Sequence, residues 1–246
     1  MRLRSTNPVF RGVTRSDVFS TDDASTYTGI IVKTLFLFLV LVTTGYYTIS
    51  NATFFLENYW ILIAALIVGL VAVIVSMSKP SIAKFTAPVY AAVEGVVLGI
   101  FILFAEALYS GIAFNALFIT IAIFLTMLAL YATGLVRVGP MFRRVLMGAL
   151  IGLVVFTFAV MIISMFSPGF RESYFGNLNL LLLVSLISAG LASLFILMDL
   201  DNCSMIVKQG LPKEYEWVAG LGLMVTIVWL FIEILRILMI FASRRR

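Results

Sequence analysis

Seven long runs of apolar residues constrain this sequence more than any other feature. Each has about 20 residues or more, which at about 1.5 Å of helix per residue matches a hydrocarbon core of roughly 30 Å. They lie near residues 30–50, 59–77, 86–108, 112–133, 145–166, 178–199 and 217–241. The runs predict an all-α integral membrane protein with seven transmembrane helices, which form one membrane domain over residues 30–242.

The composition supports this class. Apolar residues make up 62 % of the chain and charged residues 12 %, about half the charged share of soluble domains. The net charge of +5 is assigned to loops that face anionic membrane lipid, not to a nucleic-acid surface. The chain has no histidine, which excludes a Ser–His protease and a HExxH metalloprotease. We expect a protein that is not an enzyme and has no tightly bound cofactor.

The basic residues predict the orientation in the membrane. Residues 1–29 are polar and mixed in charge, and are interpreted as a flexible cytoplasmic tail without a cleavable signal; residues 243–246 form a short basic C-terminal tail. The second, fourth and sixth connections carry lysine or arginine, whereas the first and third carry none. By the positive-inside rule the N-terminus is cytoplasmic and the C-terminus outside. The outside position conflicts with the C-terminal arginines, so a re-entrant last segment stays the alternative to the favoured complete crossing.

Several acidic residues lie within or beside the apolar runs. A charge at the centre of a membrane helix costs at least roughly 2.5–3.5 kcal/mol and usually marks a wet cavity or a functional site. Glu94 is interpreted as a cavity carboxylate, and Asp199 and Glu233 as the principal candidates. Asp201 and Glu216 are secondary candidates near helix ends, where a solvated or headgroup-facing position is the alternative.

Asp199 and Glu233 form a pair only for one geometry of the last connection. If the sixth and seventh helices are antiparallel neighbours, the two residues share a level when residues 208–220 are largely irregular. A tight turn at 210–213 instead places Glu233 about 15 Å deeper than Asp199, at 1.5 Å per residue. Glycines spaced four apart, Gly95 with Gly99 and Gly148 with Gly152, indicate close helix packing; the alternative is the general abundance of glycine in membrane helices.

Four motifs carry a family resemblance. They are NPVF at 7–10, EGVVLG at 94–99, FILMD ending at Asp199, and WLFIEILRIL at 229–238. In this order, they resemble the Bax inhibitor-1 family, also called the transmembrane Bax-inhibitor-motif family, in its bacterial branch with an extended N-terminal segment. The resemblance implies six helices around a central seventh and a calcium leak controlled by pH.

The resemblance also implies a gate. In that family two carboxylates on the sixth and seventh helices share a proton and act as gate and pH sensor. Asp199 matches the first position, and Glu233 matches the second, with glutamate where aspartate is common. Those members place an arginine beside the pair, and Arg236 is the candidate for it here.

The chemistry of such a pair follows from its charges. Two close carboxylates in a low-dielectric site cannot both ionise cheaply, so they titrate as a unit. When ionised, Asp199 and Glu233 would hold calcium weakly with backbone carbonyls and water, because calcium takes six to eight oxygen ligands. Such weakness suits a transit site for a transported ion.

Three functions remain open from the sequence. The first is a pH-sensitive calcium leak channel. The second is an interaction protein of membrane stress or quality control, whose acids are structural and whose tail or sixth connection binds a membrane-protein partner such as a protease. The third, an aspartyl intramembrane protease, is disfavoured because no Gly-x-Gly-Asp motif is present and the second acid is glutamate. We expect a monomer in a bacterial plasma membrane.

Overall fold

The computed structural model describes residues 24–244, and within this range the secondary structure is helical apart from one isolated β-bridge. The α-helices are α1 (Tyr27–Ser50), α2 (Ala52–Glu57), α3 (Tyr59–Ser78), α4 (Ala83–Leu108), α5 (Ile112–Ala132), α6 (Pro140–Phe166), α7 (Pro168–Gly176), α8 (Leu178–Lys208) and α9 (Glu214–Ser243). A 3₁₀ turn at Pro80–Ile82 leads directly into α4.

Seven of these helices are long and apolar enough to cross a membrane: α1, α3, α4 with its 3₁₀ turn, α5, α6, α8 and α9. The predicted all-α seven-helix membrane fold is confirmed. The short helices α2 and α7 lie in the first and fifth connections. α9 is a single unbroken helix of 30 residues, so its length fits a complete crossing and not a re-entrant segment.

The last helix is the most enclosed of the seven. In its most apolar stretch 61 % of residues are buried, against 11–44 % in the other six spans. α6 lies at the low end, with large apolar side chains such as Val155 and Met161 exposed. Exposed apolar surface of this kind suits contact with lipid, whereas other protein residues cover a larger share of α9.

The described chain forms two compact units. The first contains the described residues up to Phe101 together with Asn202–Met224, and the second contains Ile102–Asp201 together with the residues from Val225 onward. α4, α8 and α9 each run through both units. The candidate site residues are therefore distributed over the two units: Glu94 and Glu216 lie in the first, and Asp199, Asp201 and Glu233 lie in the second.

Within the first unit, α1 and α4 touch backbone to backbone. A Cβ added at Gly95 would lie 2.0 Å from Thr44 Oγ1, and one added at Gly99 would lie 2.8 Å from the Gly45 carbonyl oxygen. The close packing predicted from this glycine spacing is therefore present. At Gly148 and Gly152 of α6, by contrast, an added Cβ meets no atom of the described chain within 4 Å.

The turn between α8 and α9 is short. Gly210 has a φ of +63°, and the Leu211 and Gly210 amides donate to the carbonyls of Ile206 and Val207, which is the Schellman arrangement that ends a helix at glycine. α9 starts at Glu214 with two acids in its first turn, a favourable place for negative charge. The expectation of an irregular connection over 208–220 is wrong, because residues 214–220 are already helical.

Helices α1 and α9 extend into both predicted tails, which were expected at residues 1–29 and 243–246. α1 begins at Tyr27, and the Thr26 side chain caps it by accepting a hydrogen bond from the Gly29 amide at 2.9 Å. Residues 24–29 therefore belong to the membrane domain. At the other end α9 includes Ser243. The rest of the predicted tail, residues 1–23 with the NPVF motif, lies outside the described residues, as do 245–246.

Candidate functional site

Asp199 lies half-buried on α8 and contacts α9. Its Oδ2 accepts a hydrogen bond from the hydroxyl of Thr226, at 2.5 Å. Thr226 is itself buried, because it lies on the enclosed face of the last helix. The α9 position opposite Asp199 is thus occupied by a neutral hydroxyl and not by a second carboxylate.

The structure does not bring Asp199 and Glu233 together. Glu233 follows Thr226 by seven residues, about 10 Å along the helix axis at 1.5 Å per residue. The cause is the five-residue turn at 209–213, which is the tight alternative that the sequence left open. The predicted gate pair and the calcium transit site between its two carboxylates are therefore corrected: Asp199 of α8 lies at the level of Thr226, and Glu233 lies further along α9.

Glu233 is buried and pairs along its own helix. Arg236 Nη1 lies 3.3 Å from Glu233 Oε2, but that oxygen has no hydrogen-bond partner among the described residues. The side chain of Arg236 is 44 % exposed and that of Glu233 only 7 %. Arg236 is thus beside an acid, as expected, but this acid is not Asp199.

Arg236 also influences α7. Burial raises the pKa of the Tyr174 hydroxyl, and the positive charge of nearby Arg236 acts in the opposite direction. Tyr174 belongs to an aromatic cluster with Phe170, Phe175 and Phe156, whose ring centroids lie 5.1–6.4 Å from that of Tyr174. α7 and the Glu233–Arg236 pair of α9 therefore belong to one neighbourhood of the second unit.

Asp201 is held by a basic residue that the sequence did not single out. Arg143 Nη2 donates to Asp201 Oδ2 in an ion pair, and the Tyr131 hydroxyl donates to Oδ1 at 3.2 Å. The sequence offered Arg236 for the Asp199–Glu233 pair and indicated no basic partner for Asp201. The sequence interpretation assigned Arg143 to the fourth connection, but α6 begins at Pro140 and includes Arg143. Proline is favoured at the first position of a helix, so Pro140 is the signal that could have placed Arg143 on this helix.

Two acids of the first unit, Glu94 and Glu216, are also partnered. The Tyr90 hydroxyl donates to half-buried Glu94, one turn later on α4. Glu216 is only 3 % exposed and forms an ion pair with Lys33 at 2.5 Å. The headgroup-facing alternative for Glu216 is therefore wrong, because α1 covers it.

A tight metal centre is not built into the described chain. Among residues 24–244, no three cysteine, aspartate or glutamate side chains come close enough together to hold a metal ion. At Asp199 a cation would meet the Asp199 carboxylate and the Thr226 hydroxyl. Hard cations such as calcium accept oxygen ligands of these kinds.

The relationship of this sequence to known proteins is decided by one match. A sequence model of the Bax inhibitor 1 like family matches residues 7–243. This chain belongs to the Bax inhibitor 1 like family. The match extends over all seven spans, so the Bax inhibitor 1 like assignment rests on the whole membrane domain and confirms the resemblance seen in four short motifs. No curated protein matches the chain.

Proposed function

We propose that this Bax inhibitor 1 like protein is a pH-sensitive calcium leak channel whose gate is centred on Asp199 alone. The observation that carries the proposal is the Thr226–Asp199 hydrogen bond, at 2.5 Å, within the span α8. One carboxylate and one hydroxyl offer a cation two oxygens of the right type. The Thr226 hydroxyl is neutral and binds a cation more weakly than a second carboxylate would, and weak binding suits conduction.

The pH sensitivity follows from the same oxygens. A proton and a cation compete for the Asp199 carboxylate, and Thr226 must reorient its hydroxyl when the carboxylate is protonated or coordinated. Calcium flux is therefore expected to fall as the medium becomes more acidic. Asp201 does not contribute a free charge to this site, because Arg143 and Tyr131 bind it.

The test is calcium flux into dye-loaded liposomes that contain the purified protein, measured from about pH 6 to 8. Asp199→Asn is expected to abolish the pH dependence and to reduce flux by about tenfold or more, which corresponds to about 1.4 kcal/mol at the site. Glu57→Gln, at an exposed acid on α2, is the matched control and leaves flux unchanged. An Asp199→Asn profile identical to that of the wild type would contradict the proposal.

The interaction-protein function is the second candidate, and the ion pairs favour it. Asp201 and Glu216 are both neutralised by basic residues, as expected of acids with a structural role. This function predicts no flux at any pH and a membrane-protein partner that co-purifies with the full chain. Deletion of residues 1–23 would then abolish co-purification without loss of the folded membrane domain.

The proposed orientation has the N-terminus cytoplasmic and the C-terminus outside, in a bacterial plasma membrane. It is supported by the seven spans and by the lysines and arginines of alternate connections, which the positive-inside rule places in the cytoplasm. Reporter fusions that are active on one side of the membrane test it at both termini. Reporters active on the same side for both termini would exclude a complete crossing by all seven helices.

A further inference from the structure

Hydrogen bonds and an ion pair at one buried carboxylate join the start of α1 to the segment that includes the α8–α9 turn and the first turn of α9. Glu216 accepts hydrogen bonds from the Thr26 amide at 2.7 Å, from the Thr26 hydroxyl at 3.3 Å and from Lys33 Nζ at 2.5 Å. Lys33 Nζ also donates to the Lys213 carbonyl at 3.0 Å. One buried acid therefore joins two segments that are about 190 residues apart in the sequence.

Backbone contacts reinforce the same connection. The Ser25 amide and hydroxyl donate to the carbonyls of Leu211 and Pro212, each at 2.7 Å. Ala24 and Pro212 form an isolated antiparallel bridge. The chain that enters α1 is thus paired with the turn itself, and not only with the helices on either side of it.

The packing leaves no room between the two segments. A Cβ added at Gly29 would lie 2.2 Å from Glu216 Oε1, and a Cβ added at Gly220 would lie 2.9 Å from Thr34 Oγ1. Trp217 packs edge-on against Phe36, with ring centroids 5.9 Å apart. Glycine at both positions permits an approach that any side chain would prevent, so the contact is a built interface.

The turn joins the two helices that carry the proposed gate. Asp199 lies nine residues before the end of α8 at Lys208, and Thr226 lies twelve residues after the start of α9 at Glu214. Both helices are continuous between the turn and these residues. A displacement of the turn therefore moves Asp199 and Thr226, because an unbroken helix transmits movement along its axis.

We propose that Glu216, with Lys33 and Thr26, is a latch that fixes the α8–α9 turn against α1 and thereby holds Asp199 and Thr226 in the resting arrangement. The part that concerns gating rests on the proposed calcium leak. Glu216 acts as a positioning residue, since it does not touch the gate. Buried ion pairs of this kind serve specificity and switching better than stability, because their desolvation offsets much of their attraction.

The native cysteine provides a probe of the latch that does not depend on conduction. Cys203 is the single cysteine of the chain, is 6 % exposed and lies beside Ser204, whose hydroxyl accepts from Tyr27 of α1 at 3.2 Å. We expect the rate at which a water-soluble methanethiosulfonate reagent modifies Cys203 to rise when this end of α8 is released from α1, because Tyr27 of α1 binds the adjacent residue. The full-length protein in liposomes is used for both labelling and calcium flux.

Glu216→Gln and Lys33→Met are each expected to accelerate Cys203 modification about tenfold and to raise calcium flux in parallel. The double variant is expected to be no faster than either single variant, because both act on one ion pair. Glu214→Gln, at the exposed acid two residues earlier, is the matched control. In this variant Cys203 is expected to be modified at the wild-type rate. A wild-type rate in both Glu216→Gln and Lys33→Met overturns the latch, whether or not the protein conducts.

A reversible tether supplies the opposite perturbation. Ala24→Cys combined with Pro212→Cys, in a Cys203→Ser background, is expected to form a disulfide that suppresses calcium flux at least threefold. Reduction is expected to restore the flux in the same sample. Faster labelling with unchanged flux, or a tether without effect on flux, overturns the coupling to the gate. Faster labelling with no flux from any form, wild type included, supports the latch and overturns the proposed leak.

Discussion

The hydroxyl of Thr226 on α9 donates a hydrogen bond to Asp199 on α8 at 2.5 Å. Glu233, the acid that sequence reasoning paired with Asp199, lies two helical turns further along α9 and is 3.3 Å from Arg236. One carboxylate therefore lies at this contact between α8 and α9, where the family resemblance implies one from each helix. This difference separates the gate proposed for this chain from a proton-sharing carboxylate pair.

Replacement of Thr226 by aspartate restores a second carboxylate opposite Asp199. Because two carboxylates bind a divalent cation better than one and titrate as a coupled pair, we expect the half-saturating calcium concentration to fall about tenfold, equivalent to about 1.4 kcal/mol. The flux profile across about pH 6 to 8 is expected to become steeper. Liposome flux at several calcium concentrations measures both effects, and Thr226→Val is the control because valine has nearly the shape of threonine. Equal half-saturating calcium concentrations and equal pH profiles in the two variants would refute the placement of residue 226 opposite Asp199.

The Arg143–Asp201 ion pair is expected to stabilise the second unit. The Arg143 and Asp201 side chains are 27 % and 22 % exposed. Loss of the pair should therefore lower the free energy of unfolding by about 2 kcal/mol, which lies between the values for exposed and buried pairs. Arg143→Gln and Asp201→Asn are each expected to lower the thermal unfolding midpoint in detergent, and the double variant by less than the sum. Arg144→Gln, at the exposed neighbour, should leave the midpoint unchanged; strict additivity would show that the pair contributes nothing.

The two members of the Glu233–Arg236 pair are expected to respond unequally. Arg236→Gln leaves a buried carboxylate without its cation, whereas Glu233→Gln leaves an arginine that is already 44 % exposed. Since an uncompensated buried charge is the costlier defect, Arg236→Gln should lower the unfolding midpoint more than Glu233→Gln does. Neither variant should shift the pH dependence of flux, and a shift in Glu233→Gln would return Glu233 to the gate.

Glycine has different roles on α4 and α6. Gly95→Ala would place a methyl group 2.0 Å from Thr44 Oγ1 and 2.4 Å from the Leu41 carbonyl oxygen. Because of this overpacking, we expect the free energy of unfolding to fall by about 1–3 kcal/mol. Gly148→Ala meets open space and should be neutral, or should stabilise the helix by up to about 1 kcal/mol. Thermal unfolding in detergent compares the two variants, and equal midpoints would contradict the close α1–α4 contact.

The helices and the family could be predicted because apolar run length and motif order are local properties of the sequence. The site could be predicted only in part. Asp199 was found because a carboxylate inside an apolar run stands out, but its partner is Thr226, which is unremarkable in a membrane helix. The pairing depends on where α9 starts, and Gly210 and Pro212 allowed both a short turn and a longer connection.

The partners of the other acids depend on contacts between distant parts of the chain. Lys33 lies within the first apolar run and Arg143 just before the fifth, and neither position indicates which acid it faces. Glu216 looked like a residue at a membrane interface because it is near the start of its run. Its burial by α1 follows from Gly29 and Gly220, whose role appears only when the two segments are placed together.

The length of α8 has a consequence for the membrane potential. Its 31 residues span about 46 Å, so a hydrocarbon layer of roughly 30 Å centred on the helix leaves about 8 Å beyond each face. Asp199, about 14 Å from the Lys208 end, then lies roughly a fifth of the way into that layer. A calcium ion that reaches Asp199 from this side has crossed a small part of the electric field, about 1 kcal/mol per 100 mV. For the proposed calcium leak, entry from the α8–α9 side should therefore depend weakly on voltage, and the strongly voltage-dependent step should lie beyond Asp199.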